Sequence, residues 1–134
     1  MTIFVCVDDK NGMTFNKRRQ SSDRVVRQKM AEMTGGKPIF MNSYSKKQFV
    51  DEDIVTNVAE DFLGLAGKGD FCFVEDTCLM PYYEIISKVV LFKWNKVYPS
   101  DKKLDLSFED MHLTQMLDFE GYSHDKITME VWAK

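Results

Sequence analysis

Apolar β-formers run unbroken through Thr2-Ile3-Phe4-Val5-Cys6-Val7 and stop at Asp8. That pattern predicts a strand buried on both faces. Asp8-Asp9-Lys10-Asn11-Gly12 then signals a turn, and a polar, arginine-rich loop extends through Gln20. Val26, Met30 and Met33 recur at i, i+4 and i+7, which predicts a helix with one core-facing stripe. Ser21 or Ser22 can cap it with Asp23 in or beside the first turn, and Gly35-Gly36 ends it. Lys37-Pro38-Ile39-Phe40-Met41-Asn42 reads as a second short strand, with proline at the entry where a missing N–H does least harm. A short helix is expected through Tyr44–Phe49. Ile54, Val58 and Phe62 lie at four-residue spacing behind the acids Asp51, Glu52 and Asp53, which predicts a helix from Asp51 to Leu63.

Phe71–Val74 forms a third buried run. A further helix opening near Thr77 and Pro81 would contribute Leu79, Tyr82, Tyr83 and Ile86, and Val89–Trp94 makes the fourth strand. Beyond Trp94 the texture changes. Met111, Leu113, Leu117 and Phe119 alternate with more polar residues, as do Ile127, Met129 and Val131, which predicts a C-terminal antiparallel pair with one wetter face. No repeat, linker or low-complexity stretch interrupts the order. The expectation is one α/β domain over residues 1–134, with a mixed, mostly parallel sheet and a C-terminal antiparallel hairpin.

Composition narrows the classes of function. At 134 residues, with 44% hydrophobic and 29% charged residues, the chain can bury a real core. A net charge of -3 supplies no basic field for nucleic acid. No apolar run approaches the length of a membrane span. Cys6, Cys72 and Cys78 are odd in number and lack metal-ligand spacing, which suits reduced thiols and a cytoplasmic location.

Four stretches resemble the dihydrofolate reductase family. Phe4-Val5-Cys6-Val7-Asp8-Asp9-Lys10-Asn11-Gly12 is similar to its opening strand and mobile loop. Gly36-Lys37-Pro38-Ile39-Phe40-Met41 is similar to its "GKPIIMG" strand, with Asn42-Ser43-Tyr44-Ser45 where the next helix opens. Phe73-Val74-Glu75-Asp76 and Ser87-Lys88-Val89-Val90-Leu91-Phe92 bracket a helix at nearly the family's spacing. Tyr98-Pro99-Ser100-Asp101 resembles an "FPAD" turn, and Tyr122-Ser123-His124 through Glu130 resembles the last hairpin. The resemblance implies a three-layer reductase-like fold.

The departures bear on activity. Where the family has a glycine pair for the cofactor pyrophosphate, this chain has Glu75-Asp76, which would repel a phosphate and obstruct close approach. The segment between Phe49 and Phe71 is short for the strands that cradle an adenosine, and the loop reads Lys17-Arg18-Arg19-Gln20 where the family has a tryptophan. The resemblance therefore implies the fold and argues against NADPH reduction, and leaves the cofactor unknown.

In an open α/β sheet, ligands bind at the carboxyl ends of the strands. There Asp8, Asp9, Asn42, Glu75 and Asp76 would gather, with Ser45 at the following helix and the Arg18-Arg19 loop folding over. The candidate ligand-binding set is Asp8, Arg18, Arg19, Asn42, Ser45, Glu75 and Asp76. Asp23 is the candidate acid/base, by its nearness to the family's proton donor. Such a cleft could hold a cation-bearing or amide-rich small molecule, with a divalent ion such as Mg²⁺ or Mn²⁺, or the acids could simply cap helices and solvate strand ends. Arg18 and Arg19 could clamp an anion, or pair with Glu75 or Asp76 in the space a cofactor phosphate would fill. His112 and His124 are too few and too far apart for a binuclear metallohydrolase, and His124 reads as a turn residue. No GxSxG, Walker A or HExxH motif is present. Two functions remain: a binding or interaction module, or an enzyme with altered chemistry such as a metal-assisted hydrolase or a reductase of another heterocycle. Loss of covering strands would bare a sheet edge, which predicts a homodimer through that edge.

Overall fold

A strand that is apolar at every position belongs in the middle of a sheet, and Thr2–Val7 (β1) is found there. The computed structural model describes residues 1–50 and 53–134. In chain order, β1 is followed by Gly12–Phe15 (β2), Arg18–Arg19 (β3), the helix Arg24–Thr34 (α1), Ile39–Met41 (β4) and the helical turn Ser43–Lys46 (α2). Next come Thr56–Val58 (β5), the turn Phe62–Leu65 (α3), Phe71–Val74 (β6), a 3-10 helix Met80–Ile85 and Lys88–Lys93 (β7). Lys102–Lys103 (β8), His112–Phe119 (β9) and Ile127–Ala133 (β10) complete the chain.

The main sheet has seven strands in the order β5-β4-β6-β1-β7-β10-β9. β1 pairs in parallel with β6 and β7, and β4 in parallel with β5 and β6. β10 runs antiparallel to both β7 and β9. Each face covers its own core, so the domain has three layers. Ile3, Val5 and Val7 face Phe62, Leu63, Leu79 and Ile86, while Phe4 faces Val26 and Met30 of α1 together with Phe73 and Phe92. Each large side chain buried this way contributes about 1.5–3 kcal/mol.

Several expectations need correction. The helix predicted from Asp51 to Leu63 is not found among the described residues. Its start at Asp51-Glu52 lies outside them, and the remainder of the segment holds β5 and the head of α3. Ile54 and Phe62 are buried as expected, but Val58 is exposed on an edge strand. The loop before Gln20 is instead a hairpin, in which β2 pairs with β3 through Asn16 and Lys17 at φ of 50° and 61°. Both values lie in the left-handed region that a tight two-residue hairpin turn requires. The helix expected near Thr77 is a 3-10 turn beginning at Met80. On α1, Thr34 is buried at the end of the stripe and Met33 is exposed.

β9 is the other edge. All but its last residue are exposed, including Leu113, Met116 and Leu117. No helix among the described residues is long and apolar enough to cross a membrane.

Candidate functional site

The carboxyl ends of β1, β4 and β6 deliver Asp8, Asn42 and Glu75 to one rim of the sheet, as parallel strands must. The β2–β3 hairpin lies over that rim. Its Arg19 forms a bidentate ion pair with Glu75, Nε to Oε2 at 2.8 Å and Nη2 to Oε1 at 3.2 Å. Gln48 Nε2 donates to the same carboxylate at 2.9 Å. Tyr44 completes the cluster: its hydroxyl accepts from the Arg19 N–H, its carbonyl accepts from Nη2, and its ring lies 4.5 Å from the guanidinium carbon. Burial weakens the charge on Arg19, but the Glu75 carboxylate outweighs that and holds the guanidinium protonated. Charge-assisted forked contacts of this kind are the strong class of hydrogen bond. Beneath the pair lies a void of about 10 Å³ lined by Cys6, Met13, Ser21, Val74 and Trp94 as well as by Arg19, Gln20 and Glu75. A cavity of that size has room for roughly one water molecule.

The other predicted site residues are distributed around this closed cleft. Asn42 caps α2, its Oδ1 accepting from the Ser45 N–H at 2.9 Å, and its Nδ2 donates to Asp76 Oδ1 at 3.1 Å. Ser45 is buried, and its hydroxyl has no hydrogen-bond partner among the described residues. Asp76 turns outward to line a separate cavity with Thr14, Lys17, Asp101 and Lys102. Arg18 is exposed and lines a third cavity, of about 460 Å³, with Phe15, Asn16, Tyr98 and Pro99. Arg19 and Gln20 line that cavity as well as the small void, so the two spaces adjoin. Asp9 is exposed at the turn.

Asp8 is buried and accepts from the N–H groups of Lys10, Gly12 and Tyr98 and from Gln20 Nε2. It ties the first turn to the hairpin and to the loop after β7. Burial alone would raise its pKa, and these donors overcome that and lower it.

Asp23 rather than Ser21 or Ser22 is the N-cap of α1, its Oδ1 accepting from the Val25 N–H at 2.8 Å. The same carboxylate accepts from the N–H groups of Tyr122 and Ser123, each at 3.0 Å, and from the Ser123 hydroxyl. Its Oδ2 lies 2.8 Å from His124 Nδ1. Against the cost of burial, the donors from Tyr122, His124, Ser123 and Val25 hold the Asp23 carboxyl far below the usual carboxylate range. A Cβ at position 121 would meet Asp23 Oδ2 at 2.6 Å, so glycine is what lets this turn reach the helix cap.

His124 is the residue that sequence reasoning assigned to a simple turn. It is buried, stacks on Trp94 with ring centroids 4.6 Å apart, and places Nε2 2.8 Å from Ser21 Oγ. The signal was weak: a lone histidine 101 positions from its carboxylate partner leaves no local pattern. Among the described residues, no three His, Cys, Asp or Glu side chains converge as metal donors.

No protein-family model matches the chain, and neither does any curated protein. Among solved structures it is similar to dihydrofolate reductase from Enterococcus faecalis complexed with NADP(H) and RAB-propyl. That likeness covers 98% of this chain and 94% of the other at a TM-score of 0.68, with 6% sequence identity. The order of elements, the sheet topology and this superposition agree that the chain has the dihydrofolate reductase fold.

Proposed function

We propose that this protein is a small-molecule-binding module on a reductase-like scaffold, and not a nicotinamide-dependent reductase. The Arg19–Glu75 ion pair carries the reading. It fills the rim beside the position where the resemblance puts a phosphate-binding glycine pair, and it supplies from within the protein the cation–anion contact that a cofactor phosphate would make. The void left beneath it is too small for a nicotinamide or pterin ring. The ligand space is the cavity on the outer side of the hairpin. Phe15, Tyr98 and Pro99 give it apolar walls, and the exposed Arg18 gives it a charge suited to a carboxylate or phosphate group.

The expected outcome is that NADPH fluorescence is unchanged on titration with the protein. A panel of small phosphates and carboxylates should contain a ligand that raises the thermal midpoint. Saturation at about 100 times Kd adds about 2.7 kcal/mol, and Arg18→Ala should remove most of that gain. Tight NADPH binding would overturn the reading, as would stabilisation indifferent to Arg18.

The partner in this reading is a second copy of the chain, joined along β9. Antiparallel pairing about a two-fold axis at Gln115 sets His112 opposite the second copy's Asp118 and Leu113 opposite its Leu117. An exposed edge that is apolar at its centre is self-complementary in that register. Sedimentation equilibrium over the micromolar range should give a dimer, and Leu113→Lys should give a monomer. A wild-type monomer throughout that range would remove the proposal.

A second reading, an enzyme whose chemistry differs from the family's, is favoured by one observation: the chain of contacts from Asp23 through His124 to Ser21.

A further inference from the structure

Ser21, His124 and Asp23 form a continuous relay. Asp23 Oδ2 is 2.8 Å from His124 Nδ1, and His124 Nε2 is 2.8 Å from Ser21 Oγ. An ionised carboxylate can only accept, so His124 carries its proton on Nδ1 and presents a lone pair at Nε2. Ser21 then donates its hydroxyl proton to Nε2. The His124 side chain is 5% exposed and that of Asp23 0%, so the imidazole is held out of water at both ends of its hydrogen-bond axis. Trp94 fixes the plane of the ring by stacking. Ser21 itself is only partly buried and lies on the wall of the small void. Gln20, on the same wall, has its Oε1 buried with no hydrogen-bond partner among the described residues, an acceptor available to a water or to a substrate N–H. A structural tie between the turn at Gly121 and α1 needs only the contacts that Asp23 makes with that turn. It does not need the far nitrogen of the imidazole to be aimed at a serine hydroxyl.

We propose that Ser21 is a nucleophile with His124 as its general base, and that the protein hydrolyses small esters whose anionic end is held by Arg18. Asp23 is a positioning residue that fixes the tautomer and orientation of the imidazole. The Ser21 oxygen bonds to the acyl carbon as its proton passes to His124 Nε2. The ester C–O bond breaks, and the departing alkoxide takes that proton. Water then attacks the acyl-serine, gives a proton to Nε2, and the carboxylic acid leaves as Ser21 recovers its hydrogen. Water is the only co-reactant. The anionic end of the substrate rests on the Arg18 cavity proposed above, and the serine chemistry does not.

The test is covalent labelling of the full chain with a fluorophosphonate, read by intact mass and peptide mapping. A single adduct on Ser21 is expected, with the exposed neighbour Ser22 unlabelled. Ser21→Ala should abolish the adduct, and His124→Gln should slow it on the order of 100-fold. Folding failure of the histidine variant is met by Ser21→Cys, in which a thiol replaces the hydroxyl beside Nε2. Iodoacetamide should then alkylate position 21 faster than the exposed Cys78 of the same chain. The proposal is overturned if folded protein gives no Ser21 adduct, if Ser22 labels as fast, or if Cys78 outpaces position 21. Hydrolysis of a neutral and an anionic p-nitrophenyl ester separates the two readings. Arg18→Ala should raise KM for the anionic ester alone. Equal KM values would defeat the Arg18 site and leave the labelled serine standing.

Discussion

Asp23→Ala should lower stability by about 3–5 kcal/mol in urea denaturation at pH 7, a large share of what a domain of this size has to lose. An ordinary helix cap is worth about 1 kcal/mol. Here the cap is the smaller part. The same carboxylate satisfies the N–H groups of Tyr122 and Ser123 and the buried imidazole of His124. Leaving such donors unpaired costs about 1–3 kcal/mol each where they cannot turn to water. Asp23→Asn keeps the shape but loses the charge and one acceptor, so it should fall between alanine and the wild type.

The same site predicts the acid response. The folded-state pKa values of Asp23 and Asp8 are both lowered, so each contributes stability that is fully present above the unfolded value of about 4. That contribution is lost as pH falls through and below that value toward the folded pKa. Urea midpoints should therefore hold from pH 7 to 5 and drop steeply by pH 3, and Asp23→Ala should flatten the drop. A midpoint that falls as steeply in the variant as in the wild type would remove Asp23 as its source.

How much of this was legible in the sequence depends on how local each cause is. The parallel strands β1, β6 and β7 were readable because burial on both faces demands apolar residues at nearly every position, and no helix can hide such a run. The helix expected over 51–63 failed on a coincidence. Ile54 and Phe62 are buried for separate reasons, one after α2 and one at the head of α3, and Val58 between them faces solvent. A three-residue edge strand is too short to announce a period. The hairpin at Asn16-Lys17 was hidden because the second turn residue is lysine, where a glycine would have given the signal.

At the site, the gathering of Asp8, Asn42 and Glu75 at strand ends comes from topology alone, and the pairing of Arg19 with Glu75 from charge. What chose Arg19 over Arg18 was the alternation of β3, invisible while the segment read as a loop. The Asp23–His124 contact joins residues 101 positions apart through a turn. Only the tertiary fold brings them together.

The ion pair at the rim should behave as one energetic unit. Arg19→Ala strands a carboxylate whose side chain is 7% exposed, and Glu75→Ala strands a guanidinium that is 23% exposed and also bonded to Tyr44. Removing one member of a buried pair costs about 3–5 kcal/mol where both are fully enclosed. The partial exposure of Arg19 reduces that here to about 2–4 kcal/mol for either single change. The double variant leaves no uncompensated charge, so it should cost less than the sum of the two, with a coupling energy of about 1.5–3 kcal/mol. A coupling below about 0.5 kcal/mol would mean that the contact is incidental and that the cleft is closed by the hairpin's packing alone. Chemical denaturation of the four proteins of the cycle decides this. In the function proposed above, Glu75 stands where a phosphate site would need glycine, and through Arg19 it anchors the hairpin that lies over the rim. Glycine at that one position removes the anchor of the hairpin, so Glu75→Gly should lose stability without gaining measurable NADPH affinity.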